Sequence, residues 1–346
     1  MNRLHEYECP ACGGMMEFDT GTQTLLCPYC GQKMDAEQYE AAETQEEFWQ
    51  AGDGMQVYTC GSCGGEIIGD GSMGSSSCPY CGNHVLARDQ FSGDRKPQGI
   101  IPFKLDKKAA MEHYQRHISG RAFLPKTFRD QNHIEQIRGI YVPFWIYDVK
   151  ARGEVTFAAE KDRVIRSDAD SRDIRHEVYE ITRAGSAEFQ GVPADGSRKM
   201  DDALMESIEP FDTAEEVPFR PAYLAGFLAD RYDVDEATRR DRAAQRLKAS
   251  MEALLKEQVT GYDTLWATDT QVELTDCRSR YVLYPVWLLN TTWKGKQFTF
   301  AMNGQTGKMV GDLPVDQKAC RFWTLLLGAL FTGGIFGFIL LMISLA

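Results

Sequence analysis

Eight cysteines stand in two matching sets, Cys9, Cys12, Cys27 and Cys30, then Cys60, Cys63, Cys78 and Cys81. Both sets read Cys-x2-Cys-x14-Cys-x2-Cys, and the second repeats the first at an offset of 51 residues. Two Cys-x2-Cys pairs at this spacing make two knuckles that present four sulfurs tetrahedrally to one ion, the donor set of a structural zinc site. Each copy has Cys-Gly-Gly early, at Cys12 and Cys63, and Cys-Pro-Tyr-Cys-Gly late, at Cys27 and Cys78. Glycine after a pair lets backbone N–H groups turn back toward the thiolates and stabilise their charge. Rubredoxin-type iron shares the Cys-Pro-x-Cys-Gly knuckle and stays open beside zinc, although compact ribbon loops favour zinc. With four ligands and no open position, two Zn²⁺ ions are expected as structural ions. They would supply fold stability that such short segments cannot draw from a core.

The other residues with chemical potential carry weaker patterns. His113 and His117 lie four apart on an expected helix, but no Glu follows His113 and no third ligand is apparent. They read as histidines on a solvated or interface face. Gly69-x-Gly71-x-x-Gly74 matches a dinucleotide fingerprint in letters only, since Ser75-Ser76-Ser77-Cys78 follows where a helix should begin. Asp168-Ala169-Asp170 and Asp201-Asp202 sit in polar stretches and read as solvated surface. Cys277 and Cys320 are unpaired in sequence. No P-loop, triad elbow or metalloprotease helix occurs, so the expectation is a protein that is not an enzyme, with no catalytic residue.

Charge decides between the partners a ribbon could take. The chain carries a net −12, and residues 1–92 hold three basic residues (Arg3, Lys33, Arg88) against fourteen acidic ones. Phosphate binding needs Lys and Arg, so nucleic acid is unlikely and a protein partner fits better. The alternative, a membrane-tethered nucleic-acid-binding regulator, would need a basic surface from Arg239, Arg240, Arg242, Arg246 and Lys248. Asp233, Asp235, Glu236 and Asp241 offset that cluster. The N-terminus has no apolar stretch and cannot be a signal peptide, which places the thiols in a reducing compartment where they bind metal.

These features imply a multi-domain chain. A first zinc ribbon (1–34), of small β type, leads into an acidic helical connector (35–54) with Asp35 as N-cap. A second ribbon (55–87) and a polar linker (88–99) follow. Residues 100–315 read as an α+β region. Its clearest helices are Asp106–Ser119 and Asp235–Val259, the latter with an apolar stripe of Leu247, Met251, Leu254 and Leu255. Strands are expected at 139–149, 154–159, 281–292 and 297–302, and Asn303-Gly304 as a hairpin turn into 308–310. Pro143-x-Trp145-x7-Gly153 recurs as Pro285-x-Trp287-x7-Gly295, and each copy follows a helix. The region therefore reads as an internal duplication of a helix-then-hairpin unit, with a charged insertion at 160–200 in the first copy. Last, 322–346 runs twenty-five residues without a charge, roughly 37 Å as a helix and enough to cross a hydrocarbon core of about 30 Å. Lys318 and Arg321 precede it. The positive-inside rule then expects a single-pass protein of the cell membrane, with its N-terminus and bulk in the cytoplasm. Within the span, Gly333 and Gly337 form a small-xxx-small pair that could seat another helix.

The order of parts resembles the TFIIB-type zinc-ribbon membrane proteins of Firmicutes. The likeness is carried by the duplicated ribbons, Tyr141-Val142-Pro143-Phe144-Trp145, Tyr284-Pro285-Val286-Trp287, the run Phe300 to Lys308 and the terminal hydrophobic helix. The resemblance implies a non-enzymatic scaffold that recruits cytosolic proteins to the membrane, possible partners in membrane stress being flotillin-like SPFH and PspA-type proteins and another membrane protein. Only the eight cysteines carry over as site residues, and all eight are present.

Overall fold

A computed structural model describes residues 2–3, 7–42, 56–59, 66–69, 73–77, 84–86, 96–121, 123–126, 128, 137–167 and 172–345. The chain divides into two compact units. One comprises 1–102, 141–202 and 212–284, the other 103–140, 203–211 and 285–346.

In the first unit, β1 (Asn2–Arg3) pairs in parallel with β5 (Gln56–Thr59). Between them β2 (Glu17–Asp19), β3 (Thr24–Leu26) and β4 (Lys33–Met34) form a small antiparallel sheet. Helix α1 (Ala36–Ala42) follows, with Asp35 Oδ1 accepting the Glu37 N–H at 2.9 Å. The acidic helix thus begins just after Asp35; the rest of the connector, 43–54, lies outside the described residues. Strand β6 (Glu66–Gly69) closes a hairpin with β5, and β7 (Met73–Ser77) closes another with β8 (His84–Leu86). The glycine fingerprint thus ends one strand and enters the next, with no helix to meet a phosphate.

Strand β9 (Gly99–Ile100) begins at the last residue of the stretch read as a linker. Helix α2 (Lys107–Ile118) belongs to the second unit. Asp106 caps it through the Ala109 N–H at 2.7 Å. The long strands β10 (Arg138–Ser167) and β11 (Arg172–Asp195) pair antiparallel from Phe144↔Asp195 to Ser167↔Arg172. The stretch read as a charged insertion at 160–200 is largely the far end of β10 and its return strand. Its charged residues misled because both faces are solvated beyond Glu160, where polar side chains cost a strand nothing. Helix α3 (Asp202–Ser207), β12 (Val217–Pro218) and β13 (Leu228–Asp230) lead to α4 (Glu236–Glu257), and then to β14 (Thr264–Trp293). Strand order in the first unit runs β12-β9-β14-β10-β13-β7-β8, with β11 also on β10.

Helix α4 starts at Asp235, whose carboxylate accepts the Thr238 N–H at 2.8 Å. It buries Ala243, Leu247, Met251 and Leu255 and leaves Leu254 exposed. Met251 and Leu255 pack on Ala151, Val155, Phe157, Ala159 and Ile181 of the β10–β11 ribbon, and Ala243 and Leu247 on Tyr147, Val149 and Ala194. Gly153 and Gly185 stand opposite each other there, where a Cβ on Gly153 would press 2.8 Å from Met251 Cγ. The second unit holds α2, the end of β14, β15 (Lys296–Asn303), β16 (Met309–Gly311) and α5 (Gln317–Leu345). Strand β15 pairs antiparallel with β14 and β16.

The two units repeat one hydrogen-bond pattern. Trp145 Nε1 donates to Val234 O at 3.0 Å, the carbonyl just before the Asp235 cap. Trp287 Nε1 donates to Leu105 O at 3.0 Å, just before the Asp106 cap. Gly196 N–H bonds Pro143 O and Gly304 N–H bonds Pro285 O, each at 2.8 Å. Gly196 O accepts from Asp233 and Val234 as Gly304 O accepts from Lys104 and Leu105. Tyr232 lies on Trp145 at 4.9 Å and Phe103 on Trp287 at 5.2 Å. In each unit the helix comes from one half of the sequence and the tryptophan hairpin from the other.

Candidate metal centre

Cys9 and Cys12 sit in a turn closed by the Glu8↔Met15 bridge, and Cys27 and Cys30 in the connection from β3 to β4. Two backbone bonds shape each knuckle. Gly13 N–H returns to Cys9 O at 2.8 Å and Cys9 N–H to Gly14 O at 2.7 Å; Gly31 N–H returns to Cys27 O and Cys27 N–H to Gln32 O, each at 2.9 Å. Gly13 and Gly31 both take φ near +70°, at 69° and 77°, the left-handed conformation a side chain resists.

The four sulfurs lie within 4.8 Å of one another, with Cys9–Cys30 and Cys12–Cys27 both at 3.6 Å. Four thiolates each about 2.3 Å from one ion would stand about 3.8 Å apart, so the cluster fits a tetrahedral ion. Cys9 and Cys27 are buried and Cys12 and Cys30 exposed. Burial raises Cys27, but N–H groups of Cys30 and Tyr29 and the adjoining thiols bring it down to about 7. The Gln32 N–H lowers Cys30, yet the adjoining thiols and burial carry it up to about 12. Four thiols this close cannot all ionise without a cation, and a divalent ion removes that conflict.

The cysteine-bearing segment is fixed to its own unit. Phe18 N–H bonds Ala225 O at 3.0 Å and the Phe18 ring meets Tyr223 edge-on at 5.2 Å. Glu37 pairs with Arg220, and Tyr39 reaches Glu8 O at 3.1 Å. Tyr29, between the late cysteines, is 76% exposed.

Cys60, Cys63, Cys78 and Cys81 lie outside the described residues. In sequence they fall between β5 and β6 and between β7 and β8, the places their counterparts hold in the first ribbon. One cysteine cluster of metal-binding geometry stands among the described residues.

The histidines face the second unit's own strands. His113 packs against Gly307, and burial followed by Arg116 lowers its proton affinity. His117 Nε2 is 3.4 Å from Gly311 O and its ring lies 6.0 Å from Phe300. The Arg cluster of α4 is taken up structurally. Arg239 bonds Asp202, Asp195 and Ser197 O, Arg240 pairs with Glu236, Arg242 with Asp202, and Arg246 reaches Pro193 O at 2.6 Å. Asp202 is therefore an ion-pair partner and not solvated surface. What sequence reasoning missed is Asp195, 6% exposed. Burial raises its carboxyl to about 7 despite the Ser197 N–H and Arg239, and Asp202 adds to the rise.

Helix α5 is long and apolar enough to cross a membrane, and Gln317–Gly337 is unburied throughout. No family model and no solved structure matches the chain. Among curated proteins, the "uncharacterized protein YdjG" of Bacillus subtilis strain 168 is 30% identical over 318 residues, covering 92% of each chain.

Proposed function

The chain belongs to the family of Bacillus subtilis YdjG, and from that premise we propose a non-enzymatic, membrane-anchored zinc-ribbon scaffold that recruits cytosolic proteins. The observation that carries the reading is the pairing of a cysteine cluster with an unburied apolar helix at the opposite end of one chain. On this reading α5 is a single span of the cell membrane, with Lys318, Arg321 and everything N-terminal on the cytoplasmic side. Both ribbons hold zinc, the second through Cys60, Cys63, Cys78 and Cys81. Their acidity favours protein partners, and exposed Tyr29 offers the kind of side chain that anchors interfaces. By resemblance the partners to test are flotillin-like SPFH proteins, PspA-type proteins and a further membrane protein.

The matched bonds of Trp145 and Trp287 support the internal duplication, with a refinement. The two copies exchange helices, so that α2 serves the second hairpin and α4 the first.

The test is affinity purification from solubilised membranes with mass spectrometry, intact chain against Cys9→Ser/Cys60→Ser. Loss of the protein partners from a variant still in the membrane is expected. An unchanged partner set removes the ribbons from docking.

A further inference from the structure

The unit that carries α5 differs in charge from the rest of the chain. Residues 103–140, 203–211 and 285–346 hold thirteen Lys and Arg against eight Asp and Glu, net +5, so the remainder of the −12 chain stands at −17. Part of that positive charge gathers around one aromatic cluster. Buried Phe128 meets Trp293 at 5.6 Å and Phe298 at 6.1 Å, both edge-on. Lys294 lies over the Trp293 ring at 5.6 Å and Lys296 over Phe298 at 5.4 Å, cation–π contacts that gather both ammonium groups there. Five residues before Phe128, the Phe123 carbonyl accepts the Asp316 N–H at 2.7 Å. Asp316 in turn caps the first turn of α5 through the N–H groups of Lys318 and Ala319.

That bond fixes Phe123 and Val315 at the mouth of the helix, where they are 39% and 60% exposed. Lys126 lies between Phe123 and Phe128 in sequence, Lys294 and Lys296 over the rings that meet Phe128, and Lys318 and Arg321 at the start of α5; all five are exposed, and none takes part in an ion pair among the described residues. A bilayer that α5 enters comes close to this face, because the Phe123 carbonyl is bonded to the residue that caps α5.

We infer that this surface of the second unit lies on the anionic phospholipid headgroups of the membrane that holds α5. Lys126, Lys294, Lys296, Lys318 and Arg321 meet lipid phosphates, and Phe123 and Val315 enter the interfacial layer. Basic clusters beside a span are drawn to anionic lipid over roughly a Debye length, and exposed apolar side chains add area on the same plane. The inference rests on the reading of α5 as a membrane span.

The test uses the full chain in nanodiscs of phosphatidylcholine alone, or with a third of it replaced by phosphatidylglycerol. Amide hydrogen exchange is read at 121–126 and 293–297. Exchange at least about fivefold slower in the anionic discs is expected, with the difference lost in high salt. Lys126→Glu/Lys296→Glu abolishes the protection and Lys126→Arg/Lys296→Arg keeps it. Equal exchange in both discs, with the chain inserted, overturns the lipid contact and leaves the span standing. A chain that will not enter the discs overturns the span and the contact with it.

Discussion

At the thiol cluster and at Asp195, close neighbours and burial move the side chain away from its ordinary ionisation. At the first, Cys9→Ser removes one of four ligands, and elemental analysis of the purified full chain should show metal content lower by one equivalent. Full retention would mean that the four sulfurs, 3.6 Å apart in two pairs, do not hold the ion. Asp195 makes a prediction about pH. Its carboxyl, raised to about 7 in the folded chain, stays protonated where an unfolded Asp has ionised. The native state then binds an extra proton between about pH 4 and 7, so stability falls as pH rises through that window, by up to about 1.4 kcal/mol per unit. Asp202 has the opposite sign. Burial raises it but Arg239 outweighs that and lowers it, so its contribution is lost only as pH falls through the ordinary carboxylate range. The two separate cleanly above about pH 5. Asp195→Asn should flatten the slope of denaturant midpoint against pH there, because Asn303 already holds the matching place and its Oδ1 accepts the Gln305 N–H as Asp195 Oδ1 accepts that of Ser197. An unchanged slope would show that Asp195 ionises normally.

Helices α2 and α4 are tied to their hairpins by the tryptophan bonds, and the ties should be measurable. Trp287→Phe leaves the Leu105 carbonyl without its donor and should cost about 1–3 kcal/mol in denaturant unfolding. Asp106→Ala and Asp235→Ala should each cost about 1 kcal/mol through the lost cap. If Trp287→Phe were neutral, the helix would be held by apolar contact alone. These elements also show what was legible beforehand. The expected helices at 106–119 and 235–259 begin one residue later, with Asp106 and Asp235 as their caps, and the apolar stripe of the second was a local signal. The recurring Pro-x-Trp marked both hairpins for the same reason. The pairing of each helix with the hairpin of the other half was not legible, since it is set by contacts between segments 89 and 182 residues apart. Nor was the full length of β10 and β11, whose far ends are solvated on both faces; in β14 the alternation of Leu265 with Ala267 and of Val272 with Leu274 was the signal that could have extended the strand. Buried Asp195 looked like any other carboxylate in a polar stretch.

At the scale of the whole molecule, charge and hydropathy are distributed by unit: the acidic cysteine-bearing unit at −17, and the unit at +5 that carries α5. Deleting 322–346 should move the chain from the alkaline-resistant membrane pellet to the supernatant, with the metal content of the ribbons unchanged. A full chain that is soluble without detergent would end the scaffold reading. The eight cysteines and the terminal apolar run made this polarity readable from composition alone, because metal-ligand spacing and a charge-free span of that length have few other uses.

The bond from Trp287 to Leu105 spans 182 residues of sequence. On a ribosome adding about 5–20 residues per second, α2 emerges roughly ten to forty seconds before the strand that will seat it. Its apolar side must wait through the synthesis of the whole first hairpin and α4. When Trp287 does appear, the donor for the Leu105 carbonyl is in place and the twenty-nine residues of α5 are still to be made. Completion of the second hairpin and synthesis of α5 therefore fall close together. A truncation anywhere before Trp287 leaves α2 without the hairpin that seats it and without α5.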